Sequence, residues 1–161
     1  MNSRSSPEPP ESPPEPTGDF PALESVLPGS IQACIVIATS HSLHAQELQR
    51  LLHWLKDQIV VIRTKAEFWE LMKTCPLGLL IVDRSFGGQD ERGEDWCRHL
   101  RESVGYLTLT ILLLGERADP QFIEAAFAVG ATDYLTLPLQ AAEVQNRVKT
   151  QLAPLSIQRR T

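Results

Sequence analysis

The sequence is poor in basic residues and has no long apolar run. Its 15 lysines and arginines are outnumbered by 20 acids, which argues against the clustered basic surface of a nucleic-acid-binding protein. No apolar stretch approaches the roughly 18 residues of a membrane span. The polar, proline-rich start is not typical of a signal peptide. We therefore expect a cytoplasmic chain that binds neither nucleic acid nor membrane.

Cysteines are also few and widely spaced, at Cys34, Cys75 and Cys97. There is no CxxC pair and no histidine at zinc-ligand spacing, so no metal site is predicted. Because three is an odd number, we expect buried free thiols in a reducing compartment rather than a disulfide framework. The four histidines show no metal-ligand spacing with acids. They are His41, His44, His53 and His99.

The prolines divide the chain. Eight of the twelve lie within residues 1–28, a segment that also holds five acids and one base. Such a segment cannot bury enough apolar surface to offset its ordering entropy. We therefore predict a disordered tail rich in proline, glutamate and serine over 1–28, one domain over 29–153, and a C-terminal tail or start of a linker over 154–161.

Short apolar runs alternate with helical patterns from residue 31 onward. The runs read as strands buried on both faces, and they cover 33–38, 59–62, 79–82 followed by Asp83, 107–114 and 132–136. Between them lie apolar stripes of period 3.6 and a capping box from Thr64 to Glu67. We place a helix start at Asp119 and the end of the last helix before Pro154. Right-handed crossovers then predict a doubly wound parallel α/β sheet in the order 2-1-3-4-5.

Two motifs carry a family resemblance over roughly residues 31–152. The segment 130–138, GATDYLTLP, resembles the "GA-x-DYL-x-KP" pattern of the receiver domains of two-component response regulators, and LLIVD ends at Asp83. The resemblance implies the flavodoxin-like, CheY-like fold. It also implies that Asp83 stands at the phosphoryl-accepting position, that Tyr134 is the switch aromatic, and that the peptide bond before Pro138 is cis.

The other active-site positions of that family are degenerate here. Thr39 and Ser40 match an acid pair that holds Mg²⁺, Gly115 matches a hydroxyl residue, and Leu137 matches a lysine. Phosphoryl transfer to a carboxylate needs a cation to offset the charge of the approaching phosphate. These substitutions favour a pseudo-receiver, a non-enzymatic protein-interaction module in signal transduction that uses no cofactor.

Two alternatives remain open. One is a working receiver in a phosphorelay, phosphorylated on Asp83 by a histidine kinase with Mg²⁺. The other is a small-ligand binder that uses the same crevice at the strand ends. A turn-forming, purely structural role is a further interpretation of Asp83. The expected partner is a signalling protein, a histidine kinase, an output domain or a second copy of the chain.

The helix near residues 120–129 offers a candidate partner surface. Its inward stripe is predicted to be Ile123, Ala126 and Phe127. A second apolar stripe would then face solvent and contact a partner, consisting of Phe122, Ala125 and Val129.

Overall fold

The computed structural model describes residues 33–87, 91–103, 106 and 108–160. Five strands and five helices alternate along the chain. They are β1 (Cys34–Ala38), α1 (Ser42–Leu51), β2 (Ile59–Ile62), α2 (Lys65–Met72), β3 (Leu77–Asp83), α3 (Gly93–Glu102), β4 (Ile111–Glu116), α4 (Phe122–Ala128), β5 (Asp133–Leu137) and α5 (Ala141–Arg160). The predicted tail over 1–28 lies outside the described residues.

The strands form one parallel sheet in the order β2-β1-β3-β4-β5, which confirms the predicted topology. Every residue of β1 is buried, as expected for a strand covered on both faces. The order reverses between β1 and β3, and the carboxyl ends of the strands therefore border a crevice at that point.

Two apolar layers cover the sheet. On one face, Val36, Leu80 and Leu113 pack with residues of α2, α3 and α4, including Phe68 and Trp96. On the other face, a second cluster joins the sheet to α1 and α5. It contains Ile37, Ile81, Leu114, Leu48 and Val148. This division follows from strand geometry, because successive side chains of a strand point to opposite faces.

Helix starts agree with the sequence at one place and differ at another. The capping box at α2 is confirmed: Thr64 Oγ1 accepts a hydrogen bond from the Glu67 N–H, and the Glu67 carboxylate accepts one from the Thr64 N–H. α4, in contrast, begins at Phe122, and its N-cap is Gln121 rather than Asp119. The Asp119 carboxylate accepts the Gln121 N–H and an Arg84 N–H, so it closes a turn before the helix.

Two predicted boundaries are wrong. β4 begins at Ile111 rather than at residue 107. α5 continues past Pro154 to Arg160, so the predicted end before that proline fails. A proline inside a helix lacks one N–H donor, and this chain accepts that loss without ending the helix.

The apolar faces of α4 differ from the prediction, in which only Ala126 is correctly placed inward. Phe122, Ala126 and Val129 are buried and Ala125 is half-buried, whereas Ile123 is 45% and Phe127 51% exposed. Both stripes are apolar, so periodicity did not decide between them. The helix presents Phe122 inward because its ring fills the space beside Gly115. The proposed partner stripe of Phe122, Ala125 and Val129 is therefore wrong.

The expectation of three free thiols is also wrong. Cys34 and Cys75 form a disulfide with a Cα–Cα distance of 6.3 Å, and Cys97 is free and buried. The first residue of β1 lies beside the end of α2, where the Cys34 N–H donates to the Pro76 carbonyl at 2.8 Å. An odd number of cysteines means only that one of them has no disulfide partner within the chain; the other two can still pair. Burial raises the pKa of the Cys97 thiol to about 12.

Candidate functional site

The carboxyl ends of β1, β3, β4 and β5 meet at one edge of the sheet and border an open cleft. Ser40, Asp83, Gly115 and Leu137 all line it. Four of the residues singled out in the sequence are thus brought together by the fold. The amino end of α3 packs closely beneath them: a Cβ on Gly93 would lie 2.9 Å from Val82 Cγ1, so only glycine lets this helix approach the end of β3.

Asp83 is 3% exposed, and both of its carboxylate oxygens accept hydrogen bonds. Thr39 Oγ1 donates to Oδ2 at 2.7 Å, and His44 Nδ1 lies 2.5 Å from the same oxygen. The Ser85 N–H donates to Oδ1 at 3.1 Å, which is the turn-forming contact expected of an aspartate at a strand end. A buried carboxylate needs such partners to offset the loss of water.

His44 brings an imidazole to the position where a cation would neutralise Asp83. Its side chain is 21% exposed at the first turn of α1. The His41 ring stacks on it with a centroid distance of 4.2 Å, and the His41 N–H donates to Thr39 Oγ1. Two histidines, a hydroxyl and one carboxylate therefore form a single connected group.

Arg84 belongs to a separate charged group. Its guanidinium donates to both oxygens of Glu94, at 2.6 and 3.0 Å, and to Asp119 at 2.8 Å. The hydrogen bond to Glu94 is the largest influence on the Arg84 guanidinium and raises its pKa, against the opposing effect of burial. The hydrogen bond from Arg84 lowers the pKa of Asp119. Arg84 is therefore committed to two acids.

The remaining site positions lie on β4 and β5. The Leu137–Pro138 peptide bond is cis, which confirms the expectation. Leu137 is buried, and its carbonyl accepts the Arg117 N–H at 2.8 Å. Tyr134 is half-buried, and its ring lies beneath the Arg147 guanidinium, whose carbon is 4.5 Å from the ring centroid.

These residues do not fit Mg²⁺. That ion prefers an octahedral set of oxygens, supplied by one or two carboxylates and waters. Here the Thr39 hydroxyl directs its proton to Asp83, and the neighbouring group is an imidazole nitrogen. Within the part of the chain that the structure describes, no three His, Cys, Asp or Glu side chains are grouped so that they could hold a metal ion.

Sequence reasoning missed His44 and the pairing of Arg84. Sequence reasoning assigns His44 no role, although a signal is present: α1 begins directly after β1, so its first turn lies at the same sheet edge as Asp83. The two acid partners of Arg84 lie 10 and 35 residues away. No spacing rule connects residues at those separations.

Comparison with known proteins agrees with this architecture. A response regulator of known structure from Chloroflexus aurantiacus is 25% identical, with a TM-score of 0.66 over 76% of this chain and 99% of its own. The signal receiver domain of an HD domain-containing protein from Pseudomonas fluorescens is 20% identical, with a TM-score of 0.67 over 84% and 97%. The chain has the fold of response regulator receiver domains and is similar to them in sequence.

Among curated proteins, this chain is 27% identical over 95 residues to Protein RcaC of Microchaete diplosiphon. The match covers 59% of this chain and 14% of RcaC, so it spans only a small part of that relative. No family model matches. In the part of the chain that the structure describes, no helix is both long and apolar enough to cross a membrane.

Proposed function

We propose that this receiver domain is a pseudo-receiver, a non-enzymatic protein-interaction module in two-component signalling that works without the Mg²⁺-dependent phosphorylation cycle. The observation that carries the proposal is the occupancy of Asp83 Oδ2 by Thr39 and His44. A phosphoryl acceptor must present a carboxylate oxygen in line with the leaving group and beside a cation. Here a hydroxyl and an imidazole take that place.

The proposal also rests on charge. Two arginines line the cleft beside Asp83: Arg84 is paired with Glu94 and Asp119, and Arg92 lies 3.9 Å from Glu94, so among the described residues a phosphate would meet no unpaired guanidinium there. Leu137 supplies an apolar side chain where the resemblance implies a lysine. Without a cation between them, the negative charges of the phosphoryl group and of the buried Asp83 carboxylate repel each other at close range, and this repulsion opposes the transfer.

The partner surface in this proposal is the exposed face of α4. Ile123 and Phe127 are large apolar side chains that solvent reaches, and the Phe127 ring packs edge-on against Tyr134 at 6.0 Å. Exposed aromatic and branched apolar residues on one helix face are typical of a protein contact. The partner is a signalling protein or a second copy of the chain.

Acetyl phosphate with Mg²⁺ should leave the mass of the 161-residue chain unchanged, because the residues around Asp83 do not hold the Mg²⁺ that phosphoryl transfer requires. The measurement is intact-mass spectrometry directly after mixing. A receiver domain with an acid pair at the positions of Thr39 and Ser40 serves as the positive control.

The alternative function is a working receiver, and one contact favours it: among the described residues Asp83 Oδ1 accepts just the Ser85 N–H, at 3.1 Å, and Asp83 lines the open cleft. A stable gain of one phosphoryl mass that disappears in Asp83→Asn would establish this alternative and refute the pseudo-receiver proposal.

A photoreactive phenylalanine analogue at position 127 should form a discrete crosslinked protein adduct in cells that express the chain natively. The matched control is the same analogue at position 43, because Leu43 is 69% exposed but lies on α1. Gel mobility and mass spectrometry detect the adduct. Crosslinking at 43 but not at 127 would move the partner surface to α1.

A further inference from the structure

The end of β4 has an unusual neighbour. Gly115 carries no side chain, and the ring of Phe122 lies against its backbone: a Cβ on Gly115 would be 2.6 Å from Phe122 Cδ1 and 2.8 Å from Cζ. These distances are shorter than packed carbon atoms tolerate. Phe122 is 1% exposed, so its ring fills the space beside Gly115.

Phe122 is held from two further sides. The guanidinium carbon of Arg84 lies over its ring, 5.4 Å from the centroid, and Arg84 is itself fixed by Glu94 and Asp119. On the other side the ring meets Tyr134 edge-on, with centroids 6.1 Å apart and planes at 82°. Backbone, cation and aromatic ring therefore enclose Phe122.

Tyr134 and the empty Cβ position of Gly115 lie on the same face of the sheet. In the β4–β5 register Leu113 pairs with Tyr134, and Gly115 pairs with Thr136 two residues further along. Diagonal neighbours of this kind are within reach of an aromatic side chain. Tyr134 would therefore be able to move toward β4 if the Phe122 ring did not occupy the space.

The outer side of Tyr134 belongs to the exposed face of α4 and α5. Its ring contacts Phe127 and lies beneath Arg147. A continuous series of contacts thus runs from Arg84, which follows Asp83, through Phe122 and Tyr134 to Phe127. Phe122 is the member of this series that is both buried and seated against backbone.

We propose that Phe122 is a fixed wedge that holds Tyr134, and with it the exposed α4–β5 surface, in a single conformation regardless of events in the Asp83 cleft. Close-packed interiors offer few intermediate arrangements, so Tyr134 cannot shift inward unless the Phe122 ring leaves its place. This inference goes beyond the proposed function, since it concerns conformational freedom rather than phosphorylation or partner choice.

Tyrosine-selective NMR tests the wedge directly, because the chain has only two tyrosines, Tyr106 and Tyr134. In the intact 161-residue chain, relaxation dispersion at Tyr134 should be flat. Phe122→Leu keeps an apolar side chain but removes the ring, and it should introduce microsecond-to-millisecond exchange at Tyr134. Tyr106 is buried against Trp69 on another part of the domain and should stay unchanged.

Phe127→Leu is the matched control. It also removes a phenylalanine ring that touches Tyr134, but from the exposed side, and it should leave the dispersion at Tyr134 flat. Exchange at Tyr134 in the unmodified protein, its absence in Phe122→Leu, or equal exchange in Phe127→Leu would each overturn the wedge.

Gly115→Ala provides a second test if Phe122→Leu proves unstable. The added methyl group should displace the Phe122 ring and shift the Tyr134 signals, and the same change in a Phe122→Leu background should shift them less. Equal shifts in both backgrounds would contradict the wedge. A phosphoryl adduct on Asp83 would refute the proposed function but leave these NMR outcomes as they are.

Discussion

Reduction of the Cys34–Cys75 disulfide is expected to lower the free energy of unfolding by about 3–4 kcal/mol. The crosslink joins residues 41 apart, and in the chain-entropy description a loop of that length restricts the unfolded ensemble by about this much. Urea denaturation with and without a phosphine reductant measures the difference. For a domain of ordinary stability such a loss is a large share of the total.

A Cys34→Ala/Cys75→Ala variant is the control, since the reductant should not change its unfolding midpoint. Thiol counting completes the test. The protein unfolded without reductant should titrate one thiol per chain, that of Cys97, and three after reduction. In the folded state Cys97 should stay unreactive at pH 8, because burial raises its pKa to about 12. Three thiols before reduction would contradict the disulfide.

The fold could be predicted from the sequence because its signals are local and repeated. Each buried run such as 59–62 is short and apolar, and each intervening helix has a 3.6-residue stripe or a cap such as Thr64. The strand order then follows from the handedness of crossovers. The cis bond before Pro138 followed from the resemblance of 130–138 to a known pattern.

Three of the errors share a physical cause, which is that they depend on contacts between distant residues. Cys34 and Cys75 meet because β1 and the end of α2 are adjacent in space. Phe122 turns inward because Gly115 leaves room for its ring, although Ile123 and Phe127 offered an equally apolar stripe. His44 reaches Asp83 across 39 residues. Hydropathy and residue spacing describe neither the shape of a side chain's surroundings nor which residues distant in sequence lie close together in the fold.

Residue types alone could predict part of the composition of the cleft. Thr39, Ser40, Gly115 and Leu137 were recognised as departures from a phosphorylation site, and the structure brings three of those four to the cleft rim beside Asp83. The group that actually contacts the Asp83 carboxylate together with Thr39 is His44. Its identity follows only from the position of the first turn of α1.

Restoring acids at the end of β1 should create a Mg²⁺ site. In Thr39→Asp/Ser40→Asp/His44→Ala, the imidazole leaves Asp83 Oδ2 and two carboxylates join the one already there. Mg²⁺ accepts such oxygen donors, whereas the unmodified protein should bind it no more tightly than about 1 mM. At about ten times its dissociation constant, Mg²⁺ should stabilise the variant by about 1.4 kcal/mol. Thermal unfolding with increasing MgCl₂ should then show a rise of several degrees.

The matched control is Thr39→Asn/Ser40→Asn/His44→Ala, which has nearly the same shape but adds no charge. Without Mg²⁺ the acidic variant should be less stable than this control, because three close carboxylates repel each other. Only the acidic variant should regain stability as Mg²⁺ is added. If the unmodified protein or the asparagine control responds equally, carboxylate number is not what limits metal binding here. The contacts of Thr39 and His44 with Asp83 would then not explain why the unmodified site fails to bind Mg²⁺.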